Sequence, residues 1–152
     1  MEKLVIIIVA VVVVIVIALF VLGYRSQAGA APGLVDGRLQ SCPSTPNCVN
    51  SEYPSDADHF IEPLAVTADA ELMPRLRAAV EKLGGSVVSE APDYLAATFT
   101  SSIFRYVDDF ELRVDAASNT VHVRSASRVG RSDLGANRKR VDQVRAALQS
   151  GG

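Results

Sequence analysis

Between Leu4 and Leu22 the chain reads LVIIIVAVVVVIVIALFVL, nineteen consecutive residues with no charged or polar side chain. As a helix rising about 1.5 Å per residue the run is roughly 28 Å long, close to the hydrocarbon thickness of a bilayer. Valine and isoleucine are middling helix formers in water. In lipid the backbone must satisfy its own hydrogen bonds, so the run is predicted to be helical there. Residues 1–25 are therefore read as a transmembrane anchor that meets the lipid bilayer through residues 4–22. A cleaved signal peptide is the competing reading, since Ala28-Gly29-Ala30 has the small residues of a cleavage site. The apolar run exceeds the about 7–15 residues of a signal core, and that site lies beyond Gly23, Tyr24 and Arg25, which favours retention.

Beyond the run, residues 26–33 (SQAGAAPG) are small and uncharged and read as a flexible tether to a soluble domain over residues 34–149. From Gly33 to about Asp58 no periodicity is sustained, and Pro43, Pro46 and Pro54 stand among Ser, Asn and Asp. This is expected to be an ordered loop, with a disordered linker as the alternative. Ile61 to Val66 reads as a strand. Leu72, Leu76, Ala79, Val80 and Leu83 recur at helical spacing, with Thr67 or Asp69 as N-cap, Pro74 near the first turn and Gly84-Gly85 as the stop. Strands follow at Ser86–Ser89, Tyr94–Thr100, Val107–Asp115 and Thr120–Arg128, separated by turn sequences. Leu134, Val141, Val144 and Leu148 line one face of a closing helix, capped by Ser132 or Asp133 and ended by Gly151. Short connections make the strands an antiparallel meander. The fold class is thus α+β, a two-layer domain with a four- to five-stranded antiparallel sheet covered on one face by two helices. A helix-grip variant, its sheet curled around the last helix, remains open.

Composition changes this picture little, because much of the 49% hydrophobic content lies in the apolar run. Cysteine usage changes it more. Cys42 and Cys48 are the only cysteines, with five residues between them in the proline-containing loop. A local disulfide suits an exported domain, and closing so short a loop contributes roughly 2 kcal/mol. Two reduced thiols in the cytosol are the alternative, and a zinc site fits less well because the spacing matches no standard ligand pair. Lys3 and the N-terminus against Arg25 and Arg38 leave the positive-inside rule nearly balanced. The cysteines therefore decide the expected orientation: inner (cytoplasmic) membrane, N-terminus inside, domain on the periplasmic side.

The last hairpin carries the sharpest inference. If its loop is Ala116–Asn119, Asp115 pairs with Thr120 and the register follows. Val114, Leu112 and Phe110 then face the core opposite Val121, Val123 and Ser125. Glu111–Arg124 and Arg113–His122 fall on the other face, expected to be solvated, where a cross-strand ion pair contributes about 0.2–1 kcal/mol. Asp108 and Ser127 fall on the helix side. A carboxylate there needs a partner, and Arg105 and Arg138 are nearest by topology. It reads as a structural ion pair or as a ligand-gripping or catalytic group.

After Ala117 basic residues outnumber acidic ones, although the residues from Ser26 onward are net acidic. The candidate binding set is Asp108, Arg124, Ser127, Arg128, Arg131, Asn137 and Arg138. Free N–H groups at Ser132–Gly135 beside arginine forks would suit an anionic small molecule. An envelope protein is the other partner class. Nucleic acid is not expected, because no matching motif accompanies Arg138-Lys139-Arg140. No cofactor or metal is expected. Neither His59 nor His122 sits in a triad motif, and no Gly-rich phosphate loop appears.

Two stretches resemble the signatures of an uncharacterised family, domain of unknown function 1499. One is Cys42-Pro43-Ser44-Thr45-Pro46-Asn47-Cys48-Val49-Asn50-Ser51. The other runs from Phe104-Arg105-Tyr106-Val107-Asp108-Asp109 through Val123–Gly130 to Ser132–Arg140. A usual family pattern has serine where Asn50 stands. The resemblance implies that the cysteine loop belongs to the folded domain, and it implies no reaction. Three readings follow: a membrane-anchored accessory or binding domain, a small-molecule enzyme using Asp108 with Ser125 or Ser127, or a purely structural envelope protein.

Overall fold

The computed structural model describes residues 1–67 and 69–150. Helix α1 (Glu2–Gln27) contains the whole apolar run and continues two residues past Arg25. It is long and apolar enough to cross a membrane, as a single span or a signal sequence would be. Its side chains from Leu4 to Leu22 are almost all exposed, so no protein interior accounts for them. Two buried residues near its end, Gly23 and Ser26, mark where it meets the domain.

Next comes a small hairpin of β1 (Leu34–Val35) and β2 (Arg38–Leu39). Its turn residues Asp36 and Gly37 both have positive φ, 51° and 73°. That is the tight two-residue turn an Asp-Gly pair favours. β3 (Cys48–Asn50) and β4 (Leu64–Ala65) each pair with β8. α2 (Leu72–Lys82), β5 (Ser86–Ala91), β6 (Tyr94–Thr100), β7 (Val107–Asp115), β8 (Thr120–Ser127) and α3 (Ala136–Ser150) complete the chain. The main sheet has six strands in the order β3-β8-β7-β6-β5, with β4 also on β8. One more strand than expected arises because Cys48–Asn50, within the aperiodic loop, adds to the sheet edge.

The fold is α+β, with both helices on one face of the antiparallel sheet. Leu76 and Val80 of α2 and Val141 and Val144 of α3 pack on Leu95, Phe110, Leu112, Val121 and Val123, all 0% exposed. Pro74 lies in the first turn of α2 as expected, but neither Thr67 nor Asp69 is the cap. Glu71 holds that position, and the Asp69 carboxylate, two residues earlier, accepts the Glu71 N–H. At α3 Asp133 accepts the N–H groups of Gly135 (3.1 Å) and Asn137 (2.7 Å). Leu134, expected on the buried face, is 97% exposed with φ 54°, because the helix begins only at Ala136. Gly151 lies outside the described residues.

Candidate functional site

The β7–β8 hairpin adopts the expected register throughout, from Asp108 opposite Ser127 to Asp115 opposite Thr120. Strand alternation therefore sends Asp108 to the helix side and its neighbours Asp109 and Glu111 to the other.

On the helix side Asp108 accepts from Arg140 Nη2 at 2.8 Å. The partner is thus Arg140, neither Arg105 nor Arg138. Arg138 is exposed and donates to the Phe60 carbonyl at 3.0 Å, and Arg105 is exposed too. Arg140 also donates to Ser125 Oγ (3.1 Å) and Asn137 Oδ1 (2.6 Å), and its guanidinium lies 4.6 Å from the Phe99 ring centroid. Asn137, 1% exposed, donates to Ser127 Oγ and the Asn47 carbonyl, each at 3.0 Å. One network thus joins Asp108, Ser125, Ser127, Asn137 and Arg140 and ties the cysteine loop, through Asn47, to α3.

The opposite face is not solvated. Glu111 is 0% and Arg124 7% exposed, and Arg124 Nη1 donates to Glu111 Oε2 at 3.0 Å. The expectation of an open face fails because the segment from Ala31 to Leu39 lies across it. Leu39 packs on Tyr94 and Ala96 there, with Ala31 and Leu34 alongside. Tyr94 Oη (2.8 Å) and Gly33 N–H (3.0 Å) also donate to Glu111. Burial pushes the Tyr94 phenol well up, and the Glu111 carboxylate it serves adds to that rise. Beside them Glu52, 2% exposed, receives Arg113 Nε (2.6 Å), Arg38 Nε (2.7 Å) and Leu39 N–H (3.3 Å). Burial alone would raise the Glu52 carboxyl, but the two arginines and the Leu39 N–H outweigh it and hold it below the usual range.

Arg128, expected to join Asp108, lies on this second face. Its Nε and Nη2 grip Asp109 at 2.9 and 2.7 Å, a two-point pairing. Its Nη1 donates to the Ser26 carbonyl of α1 at 3.2 Å, where a cation meets the negative end of the helix dipole. Ser26 Oγ accepts the Val107 N–H at 3.0 Å. A Cβ on Gly23 would lie 1.7 Å from the Phe104 carbonyl oxygen. The helix end is seated directly on the sheet end.

The structure therefore divides the expected binding set. Asp108, Ser127 and Asn137 meet, Arg124 and Arg128 lie behind the sheet, Arg131 is exposed, and Arg138 lines a separate cleft. That cleft, about 260 Å³, has Pro46, Cys48, Asp58, Ser132 and Asp133 among its walls. Of the N–H groups expected to be free there, that of Leu134 goes to Ser132 Oγ (3.3 Å) and that of Gly135 to Asp133 (3.1 Å). A larger groove of about 530 Å³ runs between Pro63–Thr67 and Arg145–Gln149. Cys42 and Cys48 form a disulfide with Cα atoms 5.7 Å apart. Among the described residues no group of His, Cys, Asp or Glu is placed to hold a metal ion.

Sequence reasoning missed Glu52, Tyr94 and Arg140. Glu52 lies in a stretch without periodicity. For Tyr94 a signal exists, since it pairs with Arg113 on the strand face that carries Glu111; for Arg140, on α3, there is none.

The two histidines are poised oppositely. His59 Nδ1 meets Asp56 at 2.9 Å and Nε2 meets the Thr45 carbonyl at 3.1 Å. The Asp56 hydrogen bond raises its pKa above the ordinary value, against the effect of burial. Burial lowers that of His122. His59 thus adds stability that is full below the unfolded-state pKa and lost as pH rises through the folded one. His122 adds stability that is present above the unfolded-state value and lost as pH falls through the folded one. Imidazole NMR titration should find His59 titrating above and His122 below the usual value of about 6.5. His59→Gln should cost more stability at mildly acidic than at mildly alkaline pH. A reversed order in either measurement would contradict the assignment.

These features define a class: an apolar helix seated on the end of a disulfide-containing α+β domain whose interior carboxylates are paired with arginines. The chain belongs to the family described as protein of unknown function (DUF1499), whose sequence model matches residues 38–148. No curated protein and no solved structure matches it. The family match begins at Arg38, so α1 and the segment up to Gly37 precede it.

Proposed function

We propose that the protein is a single-pass inner-membrane protein of a bacterial envelope. Its accessory domain lies on the periplasmic side and works through a protein partner, without chemistry of its own. The observation that carries this reading is the fate of the interior carboxylates. Asp108, Asp109, Glu111 and Glu52 are each held by an arginine at 2.6–3.0 Å. A carboxylate locked in such a pair is an acceptor only and is poorly suited to moving protons. The disulfide supports an oxidising compartment. An anionic small molecule is the weaker ligand reading, because Asp58 and Asp133 share the Arg138 cleft. Exposed Arg131, Arg138 and Lys139 instead suit an acidic patch on a partner protein.

Thiol labelling of intact cells tests the location. An impermeant maleimide should modify Cys42 and Cys48 only after reduction. Labelling that needs lysis and no reductant would place the domain in the cytosol. The enzyme reading, with Ser125 or Ser127 as nucleophile beside Asp108, has its own test. A fluorophosphonate probe should leave both serines unmodified in the folded protein, since Ser125 is 0% exposed and bonded to Asn137 at 2.6 Å. Modification of either would favour an enzyme.

A further inference from the structure

The β6–β7 loop, Ser101–Tyr106, is closed by the Ser101 N–H on the Tyr106 carbonyl (2.8 Å) and the Tyr106 N–H on Ser101 Oγ (2.9 Å). Its tip lies against α1. Phe104 meets Phe20 edge-on with ring centroids 5.2 Å apart, and the Phe104 carbonyl abuts Gly23. Phe20 belongs to the apolar run, two residues before its end at Leu22. Two residues of helix span about 3 Å, and helical side chains lean toward the N-terminus, so the Phe20 ring lies deeper still. A loop that touches Phe20 therefore reaches the level at which the apolar segment ends.

The loop's composition fits that level. Ile103, next to Phe104, is 68% exposed, an aliphatic side chain left open at the tip. Tyr24 is 76% exposed nearby, and Tyr106 stacks obliquely on Phe104 at 6.0 Å. Arg25 and Arg105 are both exposed. Arg105 has φ 61°, a conformation L residues seldom adopt, which turns the chain sharply between the two aromatic residues. Aromatic rings with polar tips, and arginines with long stems, are the side chains that settle where acyl chains give way to headgroups.

We propose that Ser101–Tyr106 is a second, shallow membrane contact. Ile103 enters the boundary between headgroups and acyl chains beside α1, and Arg25 and Arg105 reach lipid phosphates. With two points of contact the domain holds one orientation on the bilayer, its β7–β8 turn pointing away. β7 has nine residues, so that turn stands about 30 Å from the loop. The inference rests on α1 spanning the bilayer.

The test uses the full-length protein in vesicles of phosphatidylcholine and phosphatidylglycerol. Cys42 and Cys48 are already joined, so Ile103→Cys, Val12→Cys and Ala117→Cys each supply one thiol for an environment-sensitive fluorophore. All three positions are exposed, which spares the fold. The dye at Ile103 should shift to the blue and lose most of its emission to a nitroxide placed near the lipid headgroup. At Val12 a nitroxide deep in the acyl chains should quench, and at Ala117 neither should. If Val12 is quenched while Ile103 behaves like Ala117, the anchor stands and the loop contact is overturned. A shifted but unquenched Ile103 would mean burial against protein, which also overturns it. Water-like emission from Val12 would instead remove the anchor itself.

Discussion

Glu111→Gln is expected to lower the stability of the domain by about 3–5 kcal/mol, the cost of breaking a buried ion pair from one side. Glutamine keeps the shape of Glu111 but removes the charge that compensates Arg124, which is 7% exposed and whose Nε already lacks a partner among the described residues. Its amide nitrogen must also replace either Oε1, which accepts from Tyr94 Oη and Gly33 N–H, or Oε2, which accepts from Arg124. Thermal unfolding in detergent should show the melting temperature falling by roughly 15 °C or more. Removing both charges, as Glu111→Met with Arg124→Met, should restore most of that loss, since an apolar pair leaves no stranded charge. Tyr94 and Gly33 would still lose their acceptor, so recovery should be incomplete. A single-mutant loss below about 1 kcal/mol would mean that water reaches the pair after all.

Gly23→Val is expected to unseat α1 from the domain without unfolding either. The new side chain would begin 1.7 Å from the Phe104 carbonyl oxygen, a backbone atom that cannot swing aside. The contacts that depend on this approach are the Val107 N–H on Ser26 Oγ and Arg128 on the Ser26 carbonyl. At about 1 kcal/mol each, their loss raises the open population roughly thirtyfold. Limited trypsin digestion of the detergent-solubilised protein should then cut after Arg25 and Arg105 about that much faster, while the far-ultraviolet dichroism of the domain stays unchanged. Equal digestion of variant and parent would show that the seat contributes nothing. Gly23→Ala should already open the seat, because its single methyl carbon is the Cβ that falls 1.7 Å from the Phe104 carbonyl oxygen.

Much of this architecture is legible in the amino-acid sequence. The β7–β8 register follows from a four-residue loop and strict alternation, and every pair from Asp108–Ser127 to Asp115–Thr120 lies where those two constraints put it. α1, α2 and β6 are equally plain, since each carries a sustained pattern. The candidate site is less legible. Alternation correctly separates Asp108 from Asp109 and Glu111, but it says nothing about what lies above either face. Glu111 and Arg124 look solvated in the sequence because charge on a strand usually marks the wet side. Here residues 31–39 cover that side, and those residues have no periodicity to announce it. Asp108 falls on the helix side as expected, yet its partner depends on the rotation of α3. That helix begins at Ala136, two residues later than Leu134 suggests, which brings Arg140 inward and leaves Arg138 on the outside.

By itself the sequence determined the elements whose signal is local: an unbroken apolar run, a helical stripe, an alternating strand, two cysteines close enough to join. Each needs only the chain's own geometry and its preference for lipid, water or a core. What the tertiary structure alone decided is which polar groups lost their water. Glu52, Glu111 and Arg124 are buried by segments distant in sequence. Ser26 and Gly23 matter because a loop some eighty residues away closes on them. Burial is a property of what folds over a residue, and that cover comes from contacts no short window of sequence contains.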